Sequence, residues 1–399
     1  MTGSVAVVGA SLAGLSAVRA LRARGFHGTV TLIGDEPDLP YERPALSKEF
    51  LHTGEPTGLL EDHSETARLD AQWLLGRRAI GLTPGMGRPI EQEGEAAPHA
   101  EPHLIHLDDG RTVSADTLIL ATGARPRRLP GVPGAHYLRN LDDARRLRET
   151  LYETKQLVII GAGFIGAEVA SSARGLGVDV TLVDSAPIPS AAALGETIAA
   201  ACADLHARNG VRLLTGTRIE SVRPDAVHLI GGARLAADTI VIGIGATPNI
   251  EWAGDRNPLL HNADGFETDT QGRTAIPGIY AIGDCARVHD PISGRDTRSE
   301  HWNAAITQAQ TVAAAITGTP PPARTAPYFW SHQYGKLLQL AGDPTAATDL
   351  RIIDGALDGE SFTARYEHNG TPVAVCALDN PRLFTRQRKQ LDRDLTSAH

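Results

Sequence analysis

Two short unbroken apolar runs, Val5–Val8 and Leu157–Ile160, lead directly into glycine-rich turns and then into alanine-rich stretches. An apolar run of this length bounded by glycine, with no polar alternation, predicts a parallel strand buried on both faces. The first turn places Gly9, Ser11 and Gly14 at the spacing of a phosphate-binding loop. The second places Gly161, Gly163 and Gly166 at the same spacing. Later apolar runs predict further strands at Val30–Ile33, Leu104–Leu107, Asp116–Ala121, Val180–Val183 and Thr239–Ile244, with others near 211–214 and 226–230. Helices are predicted over Leu194–Asn209, ended by Gly210, and over Asn303–Ile316, ended by the Gly318–Pro322 linker. Residues 38–49 read as a proline-braced loop entering a short helix at Leu46. Residues 84–103 read as an exposed hairpin extension without chemistry. After the linker, strands near 336–341, 350–353, 361–366 and 372–377 and a basic helix from about Pro381 predict a small α/β domain.

The glycine spacing has a physical reading. The first glycine permits the tight bend, the second lets backbone approach a pyrophosphate, and the third lets helix and strand close together. The diphosphate then rests on the amides of a helix N-terminus, here Leu12 and Ala13 in the first turn and Phe164 and Ile165 in the second. Each unit also needs an acid at the end of its next strand to accept hydrogen bonds from a ribose. Asp184 meets that need in the second unit. Its charge and the lack of a nearby arginine favour NADH over NADPH. The first unit departs twice: Ser11 replaces the middle glycine, and the strand ends in Gly34, leaving Asp35 as candidate and Glu36 as rival. Two units imply two dinucleotides held in one protein.

Composition narrows the function. A 399-residue chain has room for two or three domains. A net charge of −9 argues against a general nucleic-acid partner. No apolar run approaches the roughly 18 residues of a membrane span, and the first strand begins too early for a signal peptide, so the expected location is the cytoplasm. The cysteines, Cys202, Cys285 and Cys376, form no paired motif and none lies in the first 200 positions. A redox disulfide and a Cys/His metal site are therefore not expected. Lysine is scarce, at positions 48, 155, 336 and 389, which makes Lys48 conspicuous.

Further motifs identify a family. The segments Thr117–Pro126 and Thr239–Pro248 resemble the crossover strands of pyridine-nucleotide–disulfide-type flavoproteins. Gly278–Asp284 resembles their second FAD motif. Within that group, Tyr41–Lys48, Glu300–Ala304 and Pro327–Tyr334 resemble the ferredoxin reductases serving bacterial cytochrome P450 and Rieske oxygenase systems. The sequence departs from them at His332, commonly Asp in the family, and in the long 84–103 segment.

The resemblance implies an α/β fold with two Rossmann-like dinucleotide-binding domains, glutathione-reductase-like, plus the small C-terminal α/β domain. Residues 1–124 and 245–318 would form a discontinuous FAD domain, 125–244 the NADH domain, and 319–399 the C-terminal domain. It implies FAD held by Gly9, Ser11, Leu12, Ala13, Gly14, Asp35, Arg43, Lys48, Ala121, Thr122, Gly123, Arg125, Gly283, Asp284, Trp302 and Trp330. NADH would be held by Gly161, Gly163, Phe164, Ile165, Gly166, Asp184 and Gly245. Lys48 and Glu168 would form the catalytic pair, spanning the two dinucleotide domains beside the flavin. The helix near Asn303 would point its positive end at the ring.

The implied reaction is hydride transfer from NADH to FAD, then single electrons to an iron–sulfur ferredoxin. The partner would bind transiently and electrostatically to Arg382, Arg386, Arg388, Lys389 and Arg393 of the last helix, with Arg295 and Arg298. The protein would be a monomer or weak dimer. Rival enzymes on this architecture are rubredoxin reductase, NADH oxidase and monodehydroascorbate reductase. A rival of another class is an NADH-responsive flavoprotein sensor.

Overall fold

The strand Ser4–Val8 lies at the centre of a five-stranded parallel sheet, and its side chains divide by parity. Val5 and Val7 enter one buried cluster, Ala6 and Val8 another. Burial on both faces is why the run is apolar throughout. The sheet order is Ile279–Ala281, Thr117–Leu120, Ser4–Val8, Thr29–Ile33, Gln72–Leu74. On one face the helices Leu12–Ala23 and Trp302–Thr317 pack through Leu15, Val18, Leu21, Ala309, Val312 and Ile316. On the other lies a three-stranded antiparallel sheet, Ala79–Thr83, His103–Leu107 and Thr112–Ala115, which contributes Ile105 and Leu107.

This is a computed structural model, and it describes residues 3–62, 64–85, 101–132, 134–254, 260–290 and 294–397. Much of the expected 84–103 extension, residues 86–100, lies outside the described residues. The chain divides into two compact units: Met1–Glu42, Thr57–Arg125 and Thr247–Ala323 in the first, Arg43–Pro56, Pro126–Ala246 and Arg324–His399 in the second. Among the described residues no helix is long and apolar enough to cross a membrane.

The second unit has its own parallel sheet, ordered Arg212–Leu214, Asp179–Val183, Gln156–Ile160, Thr239–Ile242. The helix Phe164–Gly175 follows the glycine turn. Between Arg212–Leu214 and Thr239–Ile242 the chain runs through an antiparallel meander, Ile219–Arg223, Ala226–Leu229 and Arg234–Ala236. Only the middle of these strands is evident from apolar pattern, because the outer two alternate or are very short.

The unit ends in a five-stranded antiparallel sheet, ordered Tyr328–Gln333, Lys336–Gly342, Thr371–Leu378, Phe362–His368, Asp349–Gly355. The helix Pro381–Ser397 covers one face through Phe384 and Leu391. The helix Glu196–Arg208 covers the other through Ile198, Cys202 and Leu205. The edge strand Tyr328–Gln333 has no counterpart among the predicted strands. Its inward positions are Phe329, Ser331 and Gln333, so two of three carry polar side chains and the apolar alternation fails.

The 43–56 segment also differs from expectation. It forms a 3-10 helix, Arg43–Ser47, and a short α-helix, Glu49–Thr53, and belongs to the second unit. Leu51 is buried there with Leu147, Leu151, Val169 and Ala173. Leu51 anchors this short excursion in the core of the second unit, against what chain order suggests.

Candidate functional site: two dinucleotide cradles and a buried lysine

Strand register gathers the predicted residues of the first unit along one edge. Val8 pairs with Ile33 and Leu120, and Leu120 pairs with Ala281. The four parallel strands therefore end level, and each is followed at once by a predicted segment: Gly9–Gly14, Asp35, Ala121–Gly123 and Gly283–Asp284. The carboxyl edge of a parallel sheet is where such folds bind ligands.

The glycines of the first turn answer to the protein itself. Gly9 has φ +119°, and a Cβ there would lie 2.0 Å from the carbonyl oxygen of Ala121; one on Gly14 would lie 1.9 Å from the oxygen of Gly9. Ser11 caps the helix with ordinary extended backbone, φ −99°. That geometry admits a serine, which accounts for the departure at this position. The first turn of the helix, starting Leu12 and Ala13, carries no acid, so no carboxylate of that turn offsets its positive end. The missing strand-end acid also has a cause: a Cβ at Gly34 would sit 2.6 Å from that of Ala10. Of the two acids that follow, Asp35 is exposed, and half-buried Glu36 accepts a hydrogen bond from the Tyr41 hydroxyl.

Opposite, Gly283 has φ +73° and donates its N–H to Gln308 Oε1 at 2.6 Å, which ties the Asp284 turn to the helix Trp302–Thr317. Arg298 donates to the Asp284 carbonyl at 3.1 Å. Thr122 donates to the Asn249 carbonyl at 2.6 Å and its own carbonyl accepts from Asn249 Nδ2 at 3.0 Å, so Ala121–Gly123 is braced. Arg125, expected at the cofactor, forms a two-pronged pair with Glu251 and also donates to the Pro248 carbonyl. This guanidinium holds the Glu251 carboxyl below the usual range. Trp302 is half-buried at the start of its helix.

The second cradle repeats the first. Ile160 pairs with Val183 and Ile242, so Gly161, Asp184 and Gly243–Gly245 share an edge. A Cβ on Gly161 would lie 2.2 Å from the Gly243 oxygen, and one on Gly166 would lie 2.0 Å from the Gly161 oxygen. Gly163, at φ −71°, has nothing within 4 Å of its missing Cβ. No contact within the protein therefore demands glycine at this position. The helix behind it, from Phe164 and Ile165, again has no acid in its first turn. Gly245, at φ +98°, accepts from the Arg127 N–H at 2.9 Å.

Asp184 has a role that the sequence did not reveal. Its Oδ2 accepts from the Ala162 N–H at 2.7 Å, inside the glycine turn, and its Oδ1 from the Ala186 N–H at 2.8 Å. The carboxylate clamps the loop through one oxygen and the residues after its strand through the other, and each oxygen has a further lone pair.

Lys48 and Glu168 come together within the second unit, where the reading from chain order had them spanning two domains. The correction follows from where 43–56 docks. Lys48 Nζ donates to Glu168 Oε2 and to the Pro44 carbonyl, each at 2.7 Å. Glu168 is 3% exposed. Its Oε2 also accepts from Ser47 Oγ at 2.6 Å, and its Oε1 from Ser331 Oγ at 2.7 Å. Arg43 donates to the Arg139 carbonyl at 2.8 Å. Trp330 stacks on Tyr328, with centroids 5.7 Å apart and planes at 21°, and the Arg388 guanidinium lies 4.2 Å from the Tyr328 centroid.

All three cysteines are buried. Burial pushes the thiol of Cys202 up to about 12 and that of Cys285 to about 11, with Cys376 well above the ordinary value. None supplies a thiolate at neutral pH.

On the last helix Arg382, Arg386, Lys389 and Arg393 are exposed at spacings of four, three and four, which makes one stripe. Arg388 instead lies against Tyr328.

Known proteins share this construction. Residues 3–309 match the pyridine nucleotide-disulphide oxidoreductase family, and residues 328–398 match the reductase C-terminal family. Rhodocoxin reductase of Rhodococcus erythropolis is 36% identical over 98% of this chain and 90% of its own. A rubredoxin-NAD(+) reductase of Pseudomonas putida is 35% identical over 85% of this chain and 86% of its own. In the crystal structure of the covalent putidaredoxin reductase–putidaredoxin complex, the matching chain has a TM-score of 0.85 and 31% identity, with 98% of this chain and 93% of that one covered. The chain thus belongs to the pyridine nucleotide-disulphide oxidoreductase family, with a reductase C-terminal domain behind its dinucleotide-binding part.

Proposed function

We propose that the protein is an NADH-dependent, FAD-containing ferredoxin reductase that feeds a P450 or Rieske oxygenase system. The observation that carries this reading is the pair of glycine turns, each with outer glycines that leave a Cβ no room against backbone and each leading into a helix start without acids, in a protein whose thiols are all buried. Two dinucleotide sites without a usable thiol suit direct transfer between the two cofactors.

Bound FAD supplies the chemistry that turns a two-electron hydride donor into a source of single electrons. The chain's residues bind, orient and set charge. Gly9, Ser11, Leu12, Ala13 and Gly14 hold the FAD diphosphate, and Asp35 its ribose. Ala121, Thr122, Gly123 and Arg125 line the opposite side, with Gly283 and Asp284 on the sugar-alcohol chain. Arg43, Trp302 and Trp330 border the ring. Gly161, Gly163, Phe164, Ile165, Gly166 and Gly245 receive NADH, and Asp184 takes its ribose and turns away a 2′-phosphate. Lys48, held by Glu168, presents a cation to the reduced ring and stabilises its negative charge.

The partner is an acidic iron–sulfur ferredoxin, bound transiently. The Arg382, Arg386, Lys389 and Arg393 stripe gives a positive face on a chain of net charge −9, with Arg295 and Arg298 as further contacts. The enzyme acts as a monomer or weak dimer in the cytoplasm.

The test uses purified holoprotein. NADH should bleach the yellow flavin anaerobically, and cytochrome c reduction should require an added ferredoxin and fall steeply as salt rises. Reduction at full rate without ferredoxin defeats the proposal. Faster turnover with rubredoxin than with any ferredoxin favours the rubredoxin reading, to which the Pseudomonas putida relative points.

A further inference from the structure

We propose that Ser331 is a positioning residue for Lys48, acting through Glu168, so that the C-terminal sheet sets the reactive geometry of the lysine. The proposal deepens the role given above to Lys48 and rests on it.

Ser331 is fully buried, and its hydroxyl donates to Glu168 Oε1 at 2.7 Å while accepting from Gln333 Nε2 at 3.1 Å. Glu168 Oε2 is already taken by Lys48 and Ser47. Ser331 is thus the side-chain donor on the other oxygen, and it fixes the rotation of the carboxylate about its last bond. Without it the carboxylate is held through Oε2 alone, and Lys48, whose side chain is 12% exposed and whose ammonium otherwise donates to the Pro44 carbonyl, loses a partner fixed at both oxygens.

Two polar residues on the buried face of an edge strand would be costly unless satisfied. Ser331 and Gln333 satisfy each other and the carboxylate, which is a reason for a strand to forgo apolar packing there.

The helix Phe164–Gly175 is the element through which this acts. It begins at the proposed NADH turn and carries Glu168. Ser172 Oγ donates to the Ser47 carbonyl at 2.7 Å, and Ser171 Oγ accepts from the Tyr334 N–H at 2.7 Å. Tyr334 holds a left-handed backbone, φ +53°, at the tip of the same hairpin as Ser331. One helix therefore bonds to the lysine segment on one side and to the C-terminal hairpin on the other.

The experiment compares Ser331→Ala, Ser331→Thr and the near-isosteric, weakly donating Ser331→Cys. The first readout is acylation of Lys48 by an amine-directed reagent, scored by mass spectrometry against Lys155 and run with and without FAD. The second is anaerobic flavin reduction by NADH. Losing a hydrogen bond to a charged group should raise Lys48 labelling and lower the reduction rate by about tenfold each in the Ala variant. The Cys variant should move the same way, and Thr should restore both to within about twofold, since its hydroxyl keeps the bond. Lys48→Ala added to Ser331→Ala should slow reduction no further than Lys48→Ala alone. Wild-type labelling in both the Ala and Cys variants overturns the positioning role. Normal flavin reduction in Lys48→Ala defeats the assigned role of the lysine instead, and the labelling then still decides the role of Ser331.

Discussion

Asp184 reaches back to the amide of Ala162, 2.7 Å away, and so clamps the glycine turn that its own strand lies beside. The residue proposed to select the nucleotide also shapes the loop proposed to hold its phosphates. Replacing it with Asn or Ala should therefore damage both contacts. We expect KM for NADH to rise at least about tenfold, the scale of a lost charge-assisted hydrogen bond, while FAD content stays full. Steady-state kinetics on the yellow protein checks this. An unchanged KM would exclude Asp184 from the NADH site.

The glycines of the second turn should separate by function. Gly166→Ala brings a methyl to 2.0 Å from a carbonyl oxygen and should lower Tm sharply or prevent folding. Gly163→Ala meets no protein atom within 4 Å and should leave Tm nearly unchanged. Its methyl would enter the space proposed for NADH, so NADH affinity should drop while the fold survives. Thermal melts beside NADH titrations read both effects.

Removing Lys48 leaves the Glu168 carboxylate buried without a cation. Lys48→Ala should destabilise the protein by about 3 kcal/mol, the usual cost of breaking a buried pair from one side. Lys48→Met with Glu168→Gln removes both charges and should recover most of that loss. Denaturant unfolding of the two variants would reveal the difference, and equal stability would contradict it.

His206 gives a pH prediction. Its Nδ1 lies 2.7 Å from the Tyr334 hydroxyl, and burial lowers its pKa from 6.5 to about 4. Burial pushes the Tyr334 phenol up, so the hydroxyl donates and the imidazole stays neutral. Above pH 6.5 the imidazole is neutral folded or unfolded. Between pH 6.5 and 4 only the unfolded chain takes up the proton, so stability falls by about 3 kcal/mol over that window and levels off below it. His206→Gln should flatten that part of a stability-versus-pH curve. An unaltered slope would mean that other groups govern it.

The thiols should be inert. With Cys202 pushed to about 12 and Cys285 to about 11, iodoacetamide at pH 8 should neither label the native protein nor slow ferredoxin-linked turnover. Rapid inactivation by a single modified cysteine would reopen a thiol mechanism.

What the sequence carried well was local. The turns at Gly9 and Gly161 are read within ten residues, because strand, bend and helix start are contiguous and each leaves its own pattern. The Gly283–Asp284 motif was equally legible, although its partner strand Thr117–Leu120 lies far upstream. What escaped was made by distance. The hydroxyl of Ser331 and the carboxylate of Glu168 meet across 163 positions, and nothing near either residue announces the other. The brace between Thr122 and Asn249 is of the same kind. Asp184 was identified for its place at a strand end, but its grip on Ala162 depends on a side-chain direction that spacing does not encode. The strand Tyr328–Gln333 was hidden by the polar residues that give it its proposed use. The 43–56 segment was placed by chain order and docks by its buried Leu51.

The strand Ile279–Ala281 completes a sheet whose other members all lie before residue 121. On the ribosome the first unit must therefore wait, its Thr117–Leu120 strand open along one edge, while about 160 further residues are made. At ordinary elongation rates that is on the order of ten to thirty seconds. An apolar strand with an unfilled neighbour is a template for wrong partners during that interval. Cofactor supply has the same timing under the proposed FAD site: the turn at Asp284 does not exist until the interval ends, so FAD available beforehand would meet only part of that cradle. Yield of active protein should thus depend on chaperones and growth temperature more than the stability of the finished enzyme would suggest.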